Sequence, residues 1–185
     1  MELHEAIYGR RSIRNYRDVP VPRGVIEGLL DETVQAPSSI NRQAWSFVVV
    51  RGRERLSRYS REALASLPHQ EVDGDMARLA ADPAFNIFYN APALVLICAT
   101  LPDPLVRHDC TLAAATLMLA AYGKGLGSCW IGFAEPWLAL PATQRALELP
   151  AGHVPIAPMI LGYPATIPEP PARNMPQIAW IGSDE

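Results

Sequence analysis

The sequence has few of the residues from which metal centres and disulfide frameworks are built. Its three cysteines, Cys98, Cys110 and Cys129, lie far apart and form no C-x-x-C pair. The four histidines show no H-E-x-x-H pattern or other paired ligand spacing. No metal site is therefore expected and no disulfide scaffold is needed, and we predict that the cysteines are small buried apolar side chains.

Lysine is nearly absent, and the net charge is small. Lys124 is the only lysine among 16 basic residues, and the formal net charge is −3. Such a balance provides no broad basic face, so no nucleic-acid partner is expected. The exception is local, because four arginines crowd the short stretch from Arg10 to Arg17.

Long apolar runs are also missing. The longest, 91–101 and 112–122, fall short of the roughly 20 residues that a membrane span needs, so no membrane partner is expected. The first residues carry neither a basic flank nor an apolar signal region, which predicts a cytoplasmic location. A length of 185 residues suits one domain over 1–185, and a hydrophobic content of 49% predicts apolar surface buried between subunits.

Helix and strand patterns do not follow a regular alternating order. Helices are predicted over 2–8, between Pro22 and Pro37, and over 57–67, 109–122 and 136–147, and strands over 47–50, 93–99, 128–133 and 154–161. Asp109 is the expected N-cap of the strongest helix. The pattern weakens from 67 to 90, where we expect a mobile lid. A proline-rich arm follows Gly162 and is expected to cross onto a partner subunit. This order favours an α+β sandwich over a doubly wound fold.

The arginine cluster reads Arg10-Arg11-Ser12-Ile13-Arg14 and directly follows the first predicted helix. Guanidinium groups this close repel one another unless an anion lies nearby. The planar fork of arginine matches phosphate oxygens, and serine adds a hydroxyl donor. The cluster therefore indicates a phosphate site. The alternative is a solvated turn in which the arginines pair with Asp18 or other acids.

A second polar segment, 36–45, contains two serines, an asparagine, a glutamine and an arginine ahead of a buried strand. Such groups can hold the hydrogen-bonding edge of a flat heterocycle or a polyol chain. The alternative is an ordinary turn with Trp45 as a core anchor.

Two glycine-containing segments follow the strongest helix. The glycines of 123–128 come after a helix and before a strand, which predicts a helix C-cap and tight turn rather than a nucleotide loop. Further on, Gly132 ends a strand and would let a backbone amide approach a ring, or it simply ends the strand with nothing bound. No Ser, Cys or His stands in a nucleophile motif, so a cofactor is expected to supply any reactivity.

Taken together and in this order, the segments resemble the nitroreductase-like flavoenzyme superfamily. Segments 10–14, 37–45 and 126–132 are similar to its three flavin motifs, and 161–164 followed by Arg173 is similar to its C-terminal strand and arm. The resemblance covers nearly the whole chain, with 66–90 the poorest match. It implies an α+β sandwich with a central, mostly antiparallel sheet flanked by helices. It also implies a homodimer that exchanges C-terminal arms and builds two FMN sites from both subunits.

The resemblance further assigns residues to FMN. The phosphate would be held by Arg10, Ser12 and Arg173, with Arg11 nearby, and Arg14 would lie near the pyrimidine edge of the ring. The other subunit would contribute Pro37, Ser38, Ser39 and Asn41, and the backbone of Trp130, Ile131 and Gly132 would face the flavin.

The implied activity is transfer of hydride from NADPH or NADH through flavin N5 to a nitroaromatic, a quinone or a related small acceptor. Alternatives on the same fold are flavin-destroying or dehalogenating chemistry and a non-catalytic flavin-binding protein. Two departures leave the acceptor and the nicotinamide preference open. Some members place lysines around the flavin, whereas the single lysine here lies in a turn, and the middle segment has no recognisable lid.

Overall fold

A computed structural model describes residues 2–67 and 74–182 of the chain, with the side chains of 74–77 left undescribed. Within these ranges the helices are α1 (Leu3–Gly9), α2 (Arg23–Thr33), α3 (Arg53–Ala65), α4 (Gly74–Ala81), α5 (Pro104–Gly123), α6 (Glu135–Leu138) and α7 (Pro141–Ala146). The strands are β1 (Trp45–Arg51), β2 (Ala93–Ala99), β3 (Gly127–Trp130) and β4 (Val154–Gly162). Short 3₁₀ turns lie at Ser39–Asn41 and Gly132–Ala134.

The four strands form one antiparallel sheet in the order β1-β2-β4-β3. Strand β2 pairs on both edges, and all seven of its residues are buried. Its near-continuous apolar sequence therefore reflects a central strand covered on both faces. The antiparallel sheet flanked by helices confirms the predicted α+β class.

Two apolar cores lie on opposite faces of the sheet. Because side chains alternate along a strand, Val95 and Ile97 of β2 join the core under α2 and α5, whereas Leu94 and Leu96 join the core under α3 and α6. The buried cysteines are divided between the same two cores, with Cys110 in the first and Cys98 and Cys129 in the second. All three are free thiols, as predicted.

The start of α5 corrects the sequence prediction. The helix begins at Pro104, and its N-cap is Asp103, whose Oδ1 accepts a hydrogen bond of 2.9 Å from the Leu105 N–H. Proline suits the first helical turn because it has no N–H that would need a partner. Asp109 is therefore not a cap but an interior helix residue, and its side chain is buried.

Other helix and strand boundaries also differ from those predicted from the sequence. Helix α3 begins at Arg53, directly after Gly52, rather than at residue 57. The helix predicted over 136–147 is divided into α6 and α7, with Pro141 at the start of α7 because proline suits the first turn and not a helix interior. Strand β3 stops at Trp130 because the chain turns into a 3₁₀ helix at Gly132.

The segment predicted as a lid contains α4, and residues 68–73 of it lie outside the described residues. The tight turn after α5 is confirmed, with Lys124 as the C-cap and Gly125 at φ 69°. Beyond Pro164 the arm forms neither helix nor strand and is exposed as far as residue 182. In the described part of the chain, no helix combines the length and apolar character that crossing a membrane requires.

Candidate active site

The arginine segment, residues 10–14, lies alongside β3, the strand that carries most of the third flavin-like motif (126–132). Ser12 and Ser128 form a parallel bridge, and the Ile13 N–H donates to the Ser128 carbonyl at 3.0 Å. Because the bridge is parallel, the chain from Ser12 to Arg14 runs in the same direction as the chain from Ser128 to Trp130. The tertiary structure therefore brings two sequence-predicted segments together, although more than 100 residues separate them.

Gly127 makes this close approach possible. A Cβ built on Gly127 would lie 2.5 Å from the Ile13 Cγ1, a distance that no side chain tolerates. Ile13 is itself buried. Glycine at 127 therefore acts through its missing side chain, which lets the arginine segment lie directly on β3.

The residues that directly follow the arginine segment contact the end of β4. Tyr16 bridges Pro164, and the Arg17 N–H donates to the Tyr163 carbonyl at 2.9 Å. Gly162 lies under the Tyr16 ring, where a Cβ would come within 2.7 Å of Cδ1. The predicted 161–164 motif is thus placed beside the first and third motifs.

Cys129 lies beneath these residues with its thiol buried. Burial raises the pKa of the Cys129 thiol, and the positive charge of Arg14 together with a hydrogen bond from Ser12 opposes the rise. The charge on Arg10 acts in the same direction as that on Arg14. The electrostatic influence of Arg10, Ser12 and Arg14 therefore reaches the Cys129 thiol on β3.

Arg10 and Arg11 line a pocket between α1, α5 and the start of the arm, together with Tyr122, Pro164 and Ile167. Arg11 is occupied by the end of α1, since its Nη1 donates to the Tyr8 carbonyl at 2.6 Å and to the Arg10 carbonyl at 2.8 Å. Its Nε is buried and has no partner in the described part of the chain. Arg10 makes a long contact of 4.0 Å to the Met118 sulfur, which leaves its guanidinium suited to an anion.

Arg14 faces a second, more open pocket that sequence reasoning missed. Its guanidinium carbon lies 5.8 Å from the centre of the Tyr89 ring. The amide side chains of Asn86 and Asn90 share the pocket with it, and so does Arg53. The side-chain Nδ2 of Asn86 donates to the side-chain Oδ1 of Asn90 at 3.0 Å. The sequence did contain a signal for this group, namely two asparagines spaced four residues apart.

The second predicted motif lies elsewhere in the protomer. The Ser39 N–H donates to Asp109 Oδ1 at 3.0 Å, whereas Arg10 contacts Met118, nine residues further along α5. At 1.5 Å per residue, these contacts are about 14 Å apart along the helix axis. The structure therefore does not bring Ser38, Ser39 and Asn41 to the arginine segment within one protomer.

The remaining predicted residues divide into two groups. The Ile131 N–H donates to the Pro158 carbonyl at 2.9 Å, and the space around Gly132 is open, with no atom within 4 Å of a Cβ built there. These two residues and Trp130 continue the strand that Ser12 contacts. Arg173 lies in the exposed arm, and the structure does not bring it to the arginine segment.

Comparison with known proteins gives the class that this fold and site define. A model of the nitroreductase family matches residues 7–163. A nitroreductase with bound FMN from Bacteroides fragilis has the same fold, with a TM-score of 0.86 and 23% identity, over 98% of this chain and 100% of the other.

Two relatives extend the comparison. A protein of Methanothermobacter thermautotrophicus, provisionally named NADH dehydrogenase/NAD(P)H nitroreductase, is 31% identical over 91% of this chain and 80% of its own. A 5,6-dimethylbenzimidazole synthase of Rhodospirillum rubrum is 28% identical over 92% of this chain and 85% of its own. The chain belongs to the nitroreductase family, and it is an oxidoreductase of that family.

Proposed function

We propose that this chain binds FMN and uses NADPH or NADH to reduce a nitroaromatic, a quinone or a related small acceptor. The observation that carries the proposal is the parallel bridge between Ser12 and Ser128, because it aligns the arginine segment with the Trp130–Gly132 turn. The FMN bound in the Bacteroides fragilis structure supports the choice of cofactor. The NAD(P)H in the name of the Methanothermobacter thermautotrophicus protein supports the choice of donor.

The residues at the first pocket fit a phosphate. Arg10, which lines this pocket, offers a guanidinium that the rest of the fold leaves largely uncommitted, and Ser12, whose hydroxyl meets the Cys129 thiol, would add a second donor. Arg11 has a different role in this proposal: it ties the end of α1 through two carbonyls and thereby holds the backbone at Arg10. Arg173 would complete the phosphate site from the arm.

The second pocket fits the pyrimidine edge of the flavin. Asn90 supplies an amide side chain that Asn86 holds in place, and Arg14 supplies a fixed positive charge. Bound FMN would supply the redox chemistry that links the nicotinamide to the acceptor. Arg14 would stabilise the negative charge that reduction leaves on the N1 and C2 carbonyl side of the ring. The backbone of Trp130, Ile131 and Gly132 would face the ring, with an amide near N5.

A second copy of the chain completes the site in this proposal. The α5 positions that Ser39 and Arg10 contact are about 14 Å apart along the helix, so in this proposal Pro37, Ser38, Ser39 and Asn41 serve a site on the partner. Exposed apolar side chains on α1, α5 and the arm support a homodimer with exchanged arms; they are Leu3, Ile7, Leu105, Leu112, Ile178, Trp180 and Ile181. Each copy would form one domain over 1–185. The free buried thiols suit a cytoplasmic enzyme.

Reconstitution tests the proposal. Purified protein loaded with FMN should be yellow, should bleach when NADPH or NADH is added without oxygen, and should regain its colour with a quinone or nitroaromatic. Protein that gains no flavin during incubation with FMN would contradict the proposal. Slow bleaching with both nicotinamides would instead indicate a flavin-binding protein without this activity.

One alternative has an observation of its own. The similarity to the dimethylbenzimidazole synthase favours flavin-destroying chemistry, because the product named for that enzyme and FMN both contain a dimethylbenzene ring fused to a nitrogen heterocycle. Analysis of the products after aerobic turnover with reduced FMN separates the two functions. Intact flavin with reduced acceptor supports the oxidoreductase, whereas loss of flavin with release of a benzimidazole supports the alternative.

A further inference from the structure

Asp109 places a carboxylate inside the sandwich, on the face covered by α5. Asp109 is only 4% exposed. It lies in the interior of α5 and does not cap the helix. Oδ1 accepts the hydrogen bond from the Ser39 N–H at 3.0 Å, and Oδ2 has no partner among the described residues. A buried carboxylate with a single hydrogen bond is costly, so its presence calls for a reason.

The loop that Asp109 contacts has an unusual backbone. Ile40, Asn41 and Gln43 have φ values of 48°, 55° and 51°, in the left-handed region. A β-branched residue such as isoleucine rarely adopts that conformation. Strained residues of this kind persist only where their surroundings hold them in place.

Two kinds of contact hold this loop. Contacts within it shape the turn: the Asn41 N–H donates to the Ser38 carbonyl at 2.9 Å, and the Gln43 N–H donates to Ser38 Oγ at 3.0 Å. Contacts with α5 attach the turn to the fold. One is the ion pair of Arg42 with Asp103 at 2.6 Å, whose side chains are 36% and 30% exposed. The other, from Ser39 to Asp109, is a partly buried hydrogen bond whose acceptor belongs to a buried residue.

We propose that Asp109 is a positioning residue for the flavin site of the second copy. Its carboxylate holds the Ser39 main chain, so that the loop presents Ser38 and Asn41 to FMN bound by the partner. This inference rests on the proposed function. It assigns no chemical step to Asp109, which acts through the loop.

The test compares two properties of the full-length protein. The first is hydrogen exchange of the Ser39 amide, measured by NMR in the FMN-free protein. The second is the dissociation constant of FMN, measured by flavin fluorescence. In Asp109→Ala, we expect Ser39 to exchange at least tenfold faster and FMN to bind about tenfold more weakly, as the loss of one such hydrogen bond implies.

Two further variants make the result specific. Asp109→Asn retains an oxygen that accepts the Ser39 N–H, so it should resemble the unmodified protein in both measurements. Asp31→Ala removes an exposed carboxylate on α2 and should change neither. If the alanine chain fails to fold, Asp109→Leu fills the same space without an acceptor and takes its place.

Three results would overturn the inference. The first is unchanged Ser39 exchange in Asp109→Ala. The second is faster exchange with unchanged FMN affinity. The third is weak FMN binding by Asp109→Asn while Ser39 stays protected, which would show that the charge acts by another route. If the unmodified protein binds no FMN, the proposed function fails with the flavin role of Asp109, whereas exchange in the FMN-free protein still measures the anchoring of the loop.

Discussion

The phenol of Tyr16 donates a hydrogen bond of 2.7 Å to the main-chain carbonyl of Ile13. Both residues are buried, and burial raises the pKa of the Tyr16 phenol far above its ordinary value, so the hydroxyl keeps its proton. This bond closes the turn that carries Arg14 toward the open pocket. The arginine segment is thus fixed from both sides, by Tyr16 and by β3.

Tyr16→Phe should therefore loosen the turn. The Ile13 carbonyl would lose its buried donor, at a cost of about 1 to 3 kcal/mol in the free energy of unfolding. Urea unfolding of the FMN-free protein measures this loss. The matched control is Tyr8→Phe, which removes the same hydroxyl from an exposed ring and should leave stability unchanged. Equal stabilities of the two variants would contradict the role of the Tyr16 hydroxyl.

Arg10→Ala and Arg173→Ala should weaken FMN binding through the phosphate. A charge-assisted contact to phosphate is worth about 1.5 to 3 kcal/mol, which corresponds to roughly a 10-fold to 150-fold rise in the dissociation constant. Riboflavin lacks the phosphate, so its affinity should not change in either variant. Titration of both flavins separates this role from general damage. Arg55→Ala, at an exposed position on α3, is the control.

Arg14→Ala should act on the reduction potential of bound FMN more than on its affinity. A fixed cation near the pyrimidine edge stabilises the reduced, more negative flavin, so its removal should lower the potential. Anaerobic titration against a reference dye measures the change. Arg14→Lys keeps the charge and should restore most of the potential. An unaltered potential in Arg14→Ala would argue against this placement.

Mixed dimers test whether the Pro37–Asn41 loop serves the partner's site. We expect Arg10→Ala and Asn41→Ala homodimers each to bind FMN weakly at both sites. A hybrid dimer with one chain of each type should regain one intact site. In that site, the unaltered Arg10 of the Asn41→Ala chain meets the unaltered loop of the Arg10→Ala chain at the subunit interface. Flavin titration of tagged hybrids gives the number of tight sites. If both residues served the same protomer, the hybrid would regain none.

The free energy of unfolding should fall in the alkaline range. Burial raises the pKa of Cys98 to about 12 and that of Cys110 to about 11, from an ordinary value near 9. The folded chain therefore keeps protons that the unfolded chain releases. The stabilisation is complete below about pH 9 and is lost as the pH rises to about 11 for Cys110 and about 12 for Cys98. Urea unfolding at pH 8 and 10 should differ by about 1 kcal/mol per thiol, and Cys98→Ala should reduce that difference.

Much of the fold could be predicted locally, and particular residues show where prediction stopped. The run from Ala93 to Ala99 was long and apolar enough to give β2 with its observed bounds. The error at Asp109 arose because Asp103 and Asp109 are both plausible caps, and only the folded structure decides which carboxylate meets a helix N–H. Asn86 and Asn90 were missed because Arg14, which lines the same pocket, is distant in sequence.

The sequence by itself determined the family resemblance, the α+β class, the buried thiols and the candidate flavin residues, since these depend on residue type and local spacing. Only the tertiary structure decided which candidates meet. It paired Ser12 with Ser128, and it held Ser39 against Asp109 in the N-terminal half of α5, away from Arg10. It also bound the Arg11 side chain to the end of α1. Such pairings depend on the close approach of distant backbone segments, as at Gly127 and Ile13, and no local pattern records them.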